Sequence, residues 1–380
     1  MARIWSKASA MVQTRTDYEL VRPDPQAWEL AQQGVDCILA APRPDPPRRR
    51  WGILSAPRAG RGDTLAQRRT AFDEYCREHR IDLGRQVLAL RPDAAEKPAD
   101  HPPVARGGQV SGGDSLRRAG GNAGPRGTGR GSVAAACLWV PNPGNTAMLY
   151  FTDLKRRPTA LEPTAACIRA AVADARAAGA AVAQAVVPAD DRLSIGACEE
   201  AGMMGLATLY YMRRRRPLFP PAPHWPPGVT LTHYSPAAHP WFAETIAATY
   251  EQTLDCPALI GRRTMEQVMA GHKATGQFDP ALWRLAWQGS RPVGVLLLTR
   301  HPGRDVLELA YLGLIVAARG QGLGAALLRE ALRILIMERI GALILAVDQA
   351  NQPALRLYRR LHCRITDRRR VFIDRQDPNP

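Results

Sequence analysis

Apolar runs separated by short polar or glycine-containing breaks organise the chain from residue 133 onward, and they predict both strands and helices. Two such runs, 133–140 and 146–152, flank a Pro-Asn-Pro-Gly turn and predict a β-hairpin. An alanine-rich helix is predicted over residues 164–178, ending at Gly179. The series is completed by a strand, a helix and a strand over residues 183–187, 192–201 and 205–213.

The same order of elements returns in the last third of the chain. Its predicted elements are strands at 291–298 and 306–316, a helix at 323–339, a strand at 342–347, a helix at 352–361 and a strand at 363–373. The repetition predicts two copies of one α/β fold in tandem, over residues 1–212 and 229–380. Residues 213–228, which begin with four arginines and are rich in proline, are predicted to be a stiff linker with its arginines on a solvated edge.

The first copy contains a segment of unusual composition. Residues 107–131 include ten glycines and almost no aromatic or β-branched residues. Such a segment buries too little apolar area to offset the entropy of ordering, so residues 92–131 are predicted to be a mobile insertion. An arginine–glycine arm for RNA is the alternative interpretation. A helix over 64–79 and a strand over 86–90 are predicted before it.

A glycine-rich turn follows the strand that ends near Val316. Gly320, Gly322 and Gly324 lack side chains, so successive backbone N–H groups can close on a phosphate group. The helix that begins there directs the positive end of its dipole to the same point. No lysine follows these glycines, which excludes a P-loop, and their order and late position exclude a dinucleotide fingerprint.

A second informative segment follows the apolar strand at 342–347. Asn351 suits a helix N-cap, and Pro353 is tolerated only in a first turn, so a helix begins here. Asn351 and Tyr358 are two turns apart on one face of that helix, and Ala354 leaves space between them.

The Arg-x-x-Gly-x-Gly loop and the Asn-x-x-Ala-x-x-Leu-Tyr helix together resemble the acyl-CoA loop and the signature helix of the GNAT N-acetyltransferase superfamily. The resemblance implies two tandem GNAT folds, each with a mixed, mainly antiparallel twisted sheet flanked by helices. It also implies acetyl-CoA as co-substrate, no metal, and acetyl transfer to a primary amine by direct attack in a ternary complex. The residues that it implies for acetyl-CoA binding are Leu312, Gly313, Leu314, Arg319, Gly320, Gln321, Gly322, Leu323, Gly324, Ala325 and Asn351.

Two residues are candidates for proton transfer. The resemblance implies that Tyr358 gives a proton to the departing CoA thiolate, and the competing interpretation is a core tyrosine of an amphipathic helix. Glu308 matches the position of the glutamate that some histone-type GNATs use as a base, and an ordinary solvent-facing strand residue is the alternative. Ribosomal-protein acetyltransferases have a glutamate where this chain has Ala346, so their mechanism is not predicted here.

The first copy lacks the phosphate turn. Residues 155–163 contain two prolines and no glycine where that turn would stand. This half is therefore predicted not to bind acetyl-CoA in the usual way, and to shape or cover the cleft of the second half. A tandem arrangement with one active half is similar to that of mycothiol synthase, although no motif here fixes that substrate.

The acceptor amine is expected to meet residues 241–254, 255–261 and 264–271, which usually wall this site in the family. Their acidic residues, which could attract a cationic amine or be plain surface charges, are Glu244, Glu251, Asp255 and Glu266. Whether the amine belongs to a small molecule or a protein stays open. Two other functions also stay open: a non-catalytic acyl-CoA-binding protein, and a ribosome- or RNA-associated protein acetyltransferase.

Charge and cysteine content change this picture little. The formal net charge is +16, but 47 of the 51 basic residues are arginine, which is typical of codon bias. No basic patch with stacking aromatics supports nucleic acid as a partner. The seven cysteines form no Cys-x-x-Cys pair, so reduced thiols are expected. With no signal-peptide pattern and no apolar run of membrane-spanning length, a soluble cytoplasmic protein is expected.

Overall fold

The computed structural model describes residues 19–21, 86–91, 132–219, 222–301 and 303–375. The predicted helix at 64–79 and the predicted insertion at 92–131 lie outside these residues. Where the chain is described, the strands and helices predicted for both series are confirmed, with ends that differ by a few residues.

The first half contributes six strands and two helices among the described residues. They are β1 (Glu19–Val21), β2 (Gln86–Arg91), β3 (Ser132–Asn142), β4 (Thr146–Phe151), α1 (Leu161–Ala177), β5 (Val182–Pro188), α2 (Arg192–Glu200) and β6 (Met204–Arg215). α1 begins without a side-chain cap and has Glu162 in its first turn. A carboxylate at that position disfavours an anion, which agrees with the prediction that this half lacks a phosphate site.

The second half contributes the remaining elements. They are β7 (Val229–His233), α3 (His239–Thr249), α4 (Met265–Ala274), β8 (Trp283–Gln288), β9 (Arg291–Arg300), β10 (Leu307–Leu314), α5 (Leu323–Met337), β11 (Ala342–Asp348), α6 (Gln352–Arg360) and β12 (Arg364–Ile373). The sequence did not predict β7 and β8. Residues 283–286 are buried on both faces, so β8 lacks the alternation that marks a half-buried strand.

All the described strands belong to one sheet, in the order β1-β2-β3-β4-β5-β12-β6-β11-β10-β9-β8-β7. The last strands of the two halves are exchanged: β12 pairs antiparallel with β5, and β6 pairs antiparallel with β11. β6 and β12 also pair with each other. The mixed sheets predicted for the two copies are therefore joined into one, because each half supplies the strand that completes the sheet of the other. The domain boundaries at 212 and 229 stay predictions.

The linker begins later than predicted. β6 runs to Arg215, so Arg213, Arg214 and Arg215 are sheet residues that pair with the first residues of β11. The side chains of Arg213 and Arg214 are half-buried. The prediction of a solvated edge was wrong for these residues, because the backbone ladder continues through them.

Helices cover both faces of the second half of the sheet. Leu296 and Leu298 of β9 pack in the cluster that contains α5, whereas Val295 and Leu297 pack with α3 and α4. Since successive strand residues point to opposite faces, α5 lies on one side of the sheet and α3 and α4 on the other. Within the described residues, no helix combines the length and the apolar character needed to cross a bilayer.

Candidate active site

β10 and β11 pair along only part of their length. Their parallel ladder covers three residues of each strand and ends at Leu309 and Leu345. A β-bulge between Leu309 and Tyr311 then shifts the pairing of β10 with β9. Beyond this point the two strands separate and form a wedge, bounded by residues 310–314 and 346–348.

The backbone of Leu312 and Leu314 faces the wedge. Ile315 donates its backbone N–H to the carbonyl oxygen of Val293 in β9 at 3.1 Å. Because the hydrogen-bonding side of an antiparallel strand alternates from residue to residue, Leu312 and Leu314 direct their N–H and C=O groups away from β9. An extended ligand in the wedge can therefore pair with β10 as an added strand does.

The glycine-rich loop leads from the end of β10 into α5. Gly320 and Gly322 have φ values of 78° and 86°, and no atom lies within 4 Å of the place where a Cβ would be added. Gly322 is the N-cap of α5, no side chain caps the helix, and its first turn has no acidic residue. The first N–H groups of α5 are therefore suited to an anion such as a phosphate.

The residues after Gly322 hold the loop against the wedge. Leu323 is buried, and Ala325 is half-buried in the first turn of α5. A Cβ at Gly324 would lie 3.4 Å from Leu357 of α6 and 3.6 Å from Leu314 of β10. The loop, β10 and α6 thus meet at this glycine.

The side chains of Arg319 and Gln321 bind protein backbone. The Arg319 guanidinium donates to four carbonyl oxygens at 2.7–3.2 Å, those of Thr249, Glu251, Gln252 and Leu314. Gln321 donates through Nε2 to the Ala317 carbonyl oxygen at 2.7 Å. Arg319 therefore fastens the loop after α3 to the end of β10, and the cofactor contact that the resemblance implied for it stays a prediction.

Asn351 and Tyr358 lie on α6 as expected from their spacing. Asn351 caps the helix by accepting the backbone N–H of Ala354 at 3.2 Å. Tyr358 is 6% exposed, and burial raises the pKa of its hydroxyl, with further increases from Asp255 and other neighbouring groups. Tyr358 is therefore protonated at neutral pH and available as a proton donor.

The sequence indicated Asp255 only as a charge that attracts a cationic amine or as a plain surface charge, but the structure connects it to the end of β11. Its Oδ1 accepts the backbone N–H of Asp348, at the end of β11, at 3.1 Å. Asp255 is partly exposed, but desolvation by its surroundings raises the pKa of its carboxyl. The Asp348 carboxylate adds to the increase, and the hydrogen bond from the Asp348 N–H opposes it. The negative charge of Asp255 also contributes to the raised pKa of the Tyr358 and Tyr311 hydroxyls. No motif marks this position, since its partners are remote in sequence.

Tyr311 is a second residue near the wedge that sequence analysis did not single out. Its hydroxyl lies 2.7 Å from Thr249 Oγ1, and a Cβ at Gly313 would approach both partners within 3 Å. Glycine in a strand interior often marks a bulge or a close approach of another group. The structure shows the close approach, while the bulge lies before Tyr311. The ring of His272 in α4 lies 5.3 Å from the ring of Tyr311.

Glu308 lies on β10 before the bulge. Its Oε2 is 2.5 Å from His301 Nε2, and both side chains are about one-fifth exposed, at 20% and 22%. Glu308 also acts electrostatically on Tyr211 of β6. The structure therefore gives Glu308 a defined partner, which an ordinary surface residue would not need, and adds His301 as a positioning residue for it.

Asp255, Cys256 and Asp348 have potential ligand atoms within 4.8 Å of one another. Both carboxylates already accept backbone N–H groups, since Asp348 Oδ2 accepts from Cys256 at 3.2 Å. Burial raises the pKa of the Cys256 thiol well above its usual value, which keeps it protonated. These features suit a hydrogen-bonded junction better than a metal centre.

Residues 248–362 match the model of the acetyltransferase (GNAT) family. This range contains β8 to β11, the glycine-rich loop and α6, and so it includes the whole wedge. The second half of the chain therefore contains a GNAT-family domain.

The chain resembles curated proteins over part of its length. It is 32% identical over 161 residues to a mycothiol acetyltransferase from Streptomyces scabiei, covering 42% of this chain and 51% of that protein. It is 36% identical over 100 residues to a mycothiol acetyltransferase from Arthrobacter, covering 25% and 31%. The chain thus spans about half the length of the curated relatives it matches, or less.

One solved structure extends the likeness over nearly the whole chain. It is a GCN5-related N-acetyltransferase from Sphaerobacter thermophilus, with a TM-score of 0.55 and 18% identity. The match covers 94% of this chain and 95% of that one. At this level of identity the likeness concerns the fold alone.

Proposed function

We propose that this protein is an acetyl-CoA-dependent N-acetyltransferase that acts on a small-molecule amine by direct attack in a ternary complex. The observation that carries the proposal is the wedge between β10 and β11, with the backbone of Leu312 and the N–H of Leu314 directed into it and an uncapped helix N-terminus beyond it. The names of the mycothiol acetyltransferase relatives support a small-molecule acceptor.

The residues of the wedge fit the two ends of acetyl-CoA. The first N–H groups of α5, with the backbone of the loop at Gly320 and Gly322, bind the anionic pyrophosphate. The strand backbone at Leu312 and Leu314 pairs with the amide-containing arm. Bound acetyl-CoA supplies the acetyl thioester, and the N–H of Leu314 is the donor best placed to stabilise negative charge on its carbonyl oxygen.

Two proton transfers complete the chemistry. Tyr358 is protonated, buried and next to the wedge, so it holds the proton that a departing thiolate requires. Glu308 accepts the proton of the acceptor amine, directly or through water, and His301 holds its carboxylate in place. The catalytic residues proposed are therefore Tyr358 and Glu308.

The proposal is tested by comparing two glycines of similar conformation. Gly322 and Gly289 both have positive φ, at 86° and 61°, and open surroundings, but only Gly322 belongs to the loop. Native mass spectrometry should show one bound acetyl-CoA on the wild type and on Gly289→Val, and none on Gly322→Val. Equal binding to both variants would place the cofactor elsewhere.

The acceptor class is tested by release of CoA thiol. Small-molecule amines should support release and a lysine-containing peptide should not. Acetyl-CoA binding without release by any amine would instead favour a non-catalytic acyl-CoA-binding protein.

A further inference from the structure

The turn between β3 and β4, in the first half, lies directly against α4 of the second half. Gly144 in this turn has φ of 84°, and a Cβ added to it would collide with the backbone carbonyl oxygen of Gln267. The same Cβ would lie 3.3 Å from the Cα of Gly271 and 3.3 Å from Arg263 Nη1. The two backbones therefore approach each other closely here, and the Arg263 guanidinium lies beside the contact.

The contact is less tight when viewed from α4. A Cβ on Gly271 would lie 3.7 Å from the carbonyl oxygen of Pro143 and 3.3 Å from Arg263 Nη1. Gly271 stands inside a helix, where glycine is unfavourable relative to alanine. Gly144 therefore allows an approach that even alanine would prevent, whereas at Gly271 only a side chain larger than alanine would press on the turn.

A second link holds the chain just before α4. Arg262 Nη1 donates to the backbone carbonyl oxygen of Asp374 at 2.9 Å. The Asp374 carboxylate is buried and accepts the backbone N–H of Ala183, in β5 of the first half, at 2.9 Å. The first half thus holds the chain before the start of α4 and also contacts the helix near its end.

α4 in turn contacts the wedge. His272 follows Gly271, and its ring lies 5.3 Å from the ring of Tyr311. Tyr311 is on β10 at the bulge, and its hydroxyl lies 2.7 Å from Thr249 Oγ1. A shift of α4 would therefore move His272 against Tyr311, on the face of the sheet opposite α5.

We propose that the first half positions the acceptor side of the active site, with Gly144 and Gly271 as positioning residues that set the place of α4. The proposal rests on the proposed function and gives the half that lacks a phosphate turn a specific part in it. Binding of acetyl-CoA, on the α5 side, does not depend on this contact.

The experiment compares Gly144→Ala with Gly179→Ala. Gly179 is also in the first half and has φ of 90°, but no atom lies within 4 Å of an added Cβ. Both variants therefore carry the same kind of backbone strain, and only the first disturbs α4. Gly144→Ala should raise KM for the amine roughly ten- to a hundredfold, because small displacements near a reacting group have effects of that size. The Kd for acetyl-CoA should stay unchanged in both.

A second pair of variants covers the case in which Gly144→Ala does not fold. Gly271→Leu enlarges the same contact from the helix side without a positive φ, and Ala270→Leu adds the same side chain at an exposed position of α4. Gly271→Leu should raise KM for the amine, and Ala270→Leu should not. Equal KM values within both pairs would overturn the proposal.

Hydrogen–deuterium exchange separates this inference from the proposed function. Amides of residues 262–275 should exchange faster in Gly144→Ala than in Gly179→Ala, with no substrate present. If the wild type releases no CoA thiol with any amine, the proposed function fails, and the exchange comparison still decides whether the turn holds α4. Equal exchange in the two variants would contradict the positioning role.

Discussion

The carboxylate of Asp255 accepts the backbone N–H of Asp348 at 3.1 Å, which joins the loop after α3 to the end of β11. The Asp348 carboxylate in turn accepts the N–H of Cys256 at 3.2 Å. At the other end of the same loop, Arg319 holds backbone carbonyls beside the end of β10. The loop therefore joins the ends of the two strands that bound the wedge, and the charge of its Asp255 raises the pKa of Tyr358.

Glu308 and Asp255 are the two carboxylates whose replacement separates the proposed base from a charge that only tunes Tyr358. We expect Glu308→Gln to lower kcat/KM for the amine roughly a hundredfold, because it removes the base, and Asp255→Asn to lower it less than tenfold. The negative charge of Asp255 raises the pKa of Tyr358, so Asp255→Asn should move the alkaline limb of the pH–rate profile to lower pH. If kcat/KM fell further in Asp255→Asn than in Glu308→Gln, Asp255 and not Glu308 would be the base.

Replacement of Tyr358 by phenylalanine tests the proton donor. The hydroxyl is needed only when the thiolate departs, so Tyr358→Phe should lower kcat roughly a hundredfold or more and leave the Kd for acetyl-CoA unchanged. Tyr210→Phe is the matched control, because Tyr210 packs against the same core cluster from β6. Equal kcat values for Tyr358→Phe and the wild type would leave Tyr358 as a core residue.

Local features of the fold and the site could be predicted from the sequence. The loop glycines and the N-cap at Asn351 depend on residues close together in the chain, and the structure contains both. The same holds for the hairpins and for the helices that end at glycine or follow a proline. Such features need only backbone preferences and short-range hydrogen bonds.

Features that depend on distant partners could not be predicted. β6 and β12 are each the last strand of a half. Backbone hydrogen bonding alone does not determine whether such a strand pairs within its own half or with the other half. The role of Asp255 arises from Asp348, which is ninety-three positions away. The contact of Gly144 with α4 likewise joins the two halves of the chain, and a turn glycine looks the same in sequence whether or not it touches another element.

His272 makes the stability of the protein depend on pH. Burial, assisted by the charge of Arg263, lowers the pKa of His272 to about 4, whereas an unfolded histidine titrates near 6.5. The unfolded chain therefore binds more protons between these values, and stability is lost as pH falls from about 6.5 toward 4. From pH 7 to pH 5 the loss from this residue is about 2 kcal/mol.

The measurement is urea unfolding at both pH values. His272→Gln should remove about 2 kcal/mol of the pH dependence that the wild type shows. His224→Gln, at an exposed position, should leave the dependence unchanged. An unaltered dependence in His272→Gln would mean that this ring does not stay neutral in the folded protein.

Asp374 is expected to stabilise the exchanged sheet. It is 2% exposed, at the end of β12, and its carboxylate contacts Arg176 of α1 and lies 3.5 Å from Arg262 Nη1. Asp374→Asn leaves two arginines without their shared charge, and removing one partner of a buried pair costs about 3 kcal/mol. In contrast, Asp190 lies 3.9 Å from Lys155 with 86% of its side chain exposed, so Asp190→Asn should cost less than about 1 kcal/mol. Urea unfolding of the two variants gives the comparison directly. Equal losses would show that Asp374 contributes no more than a surface pair, and that the exchanged strands are held by their backbone ladders alone.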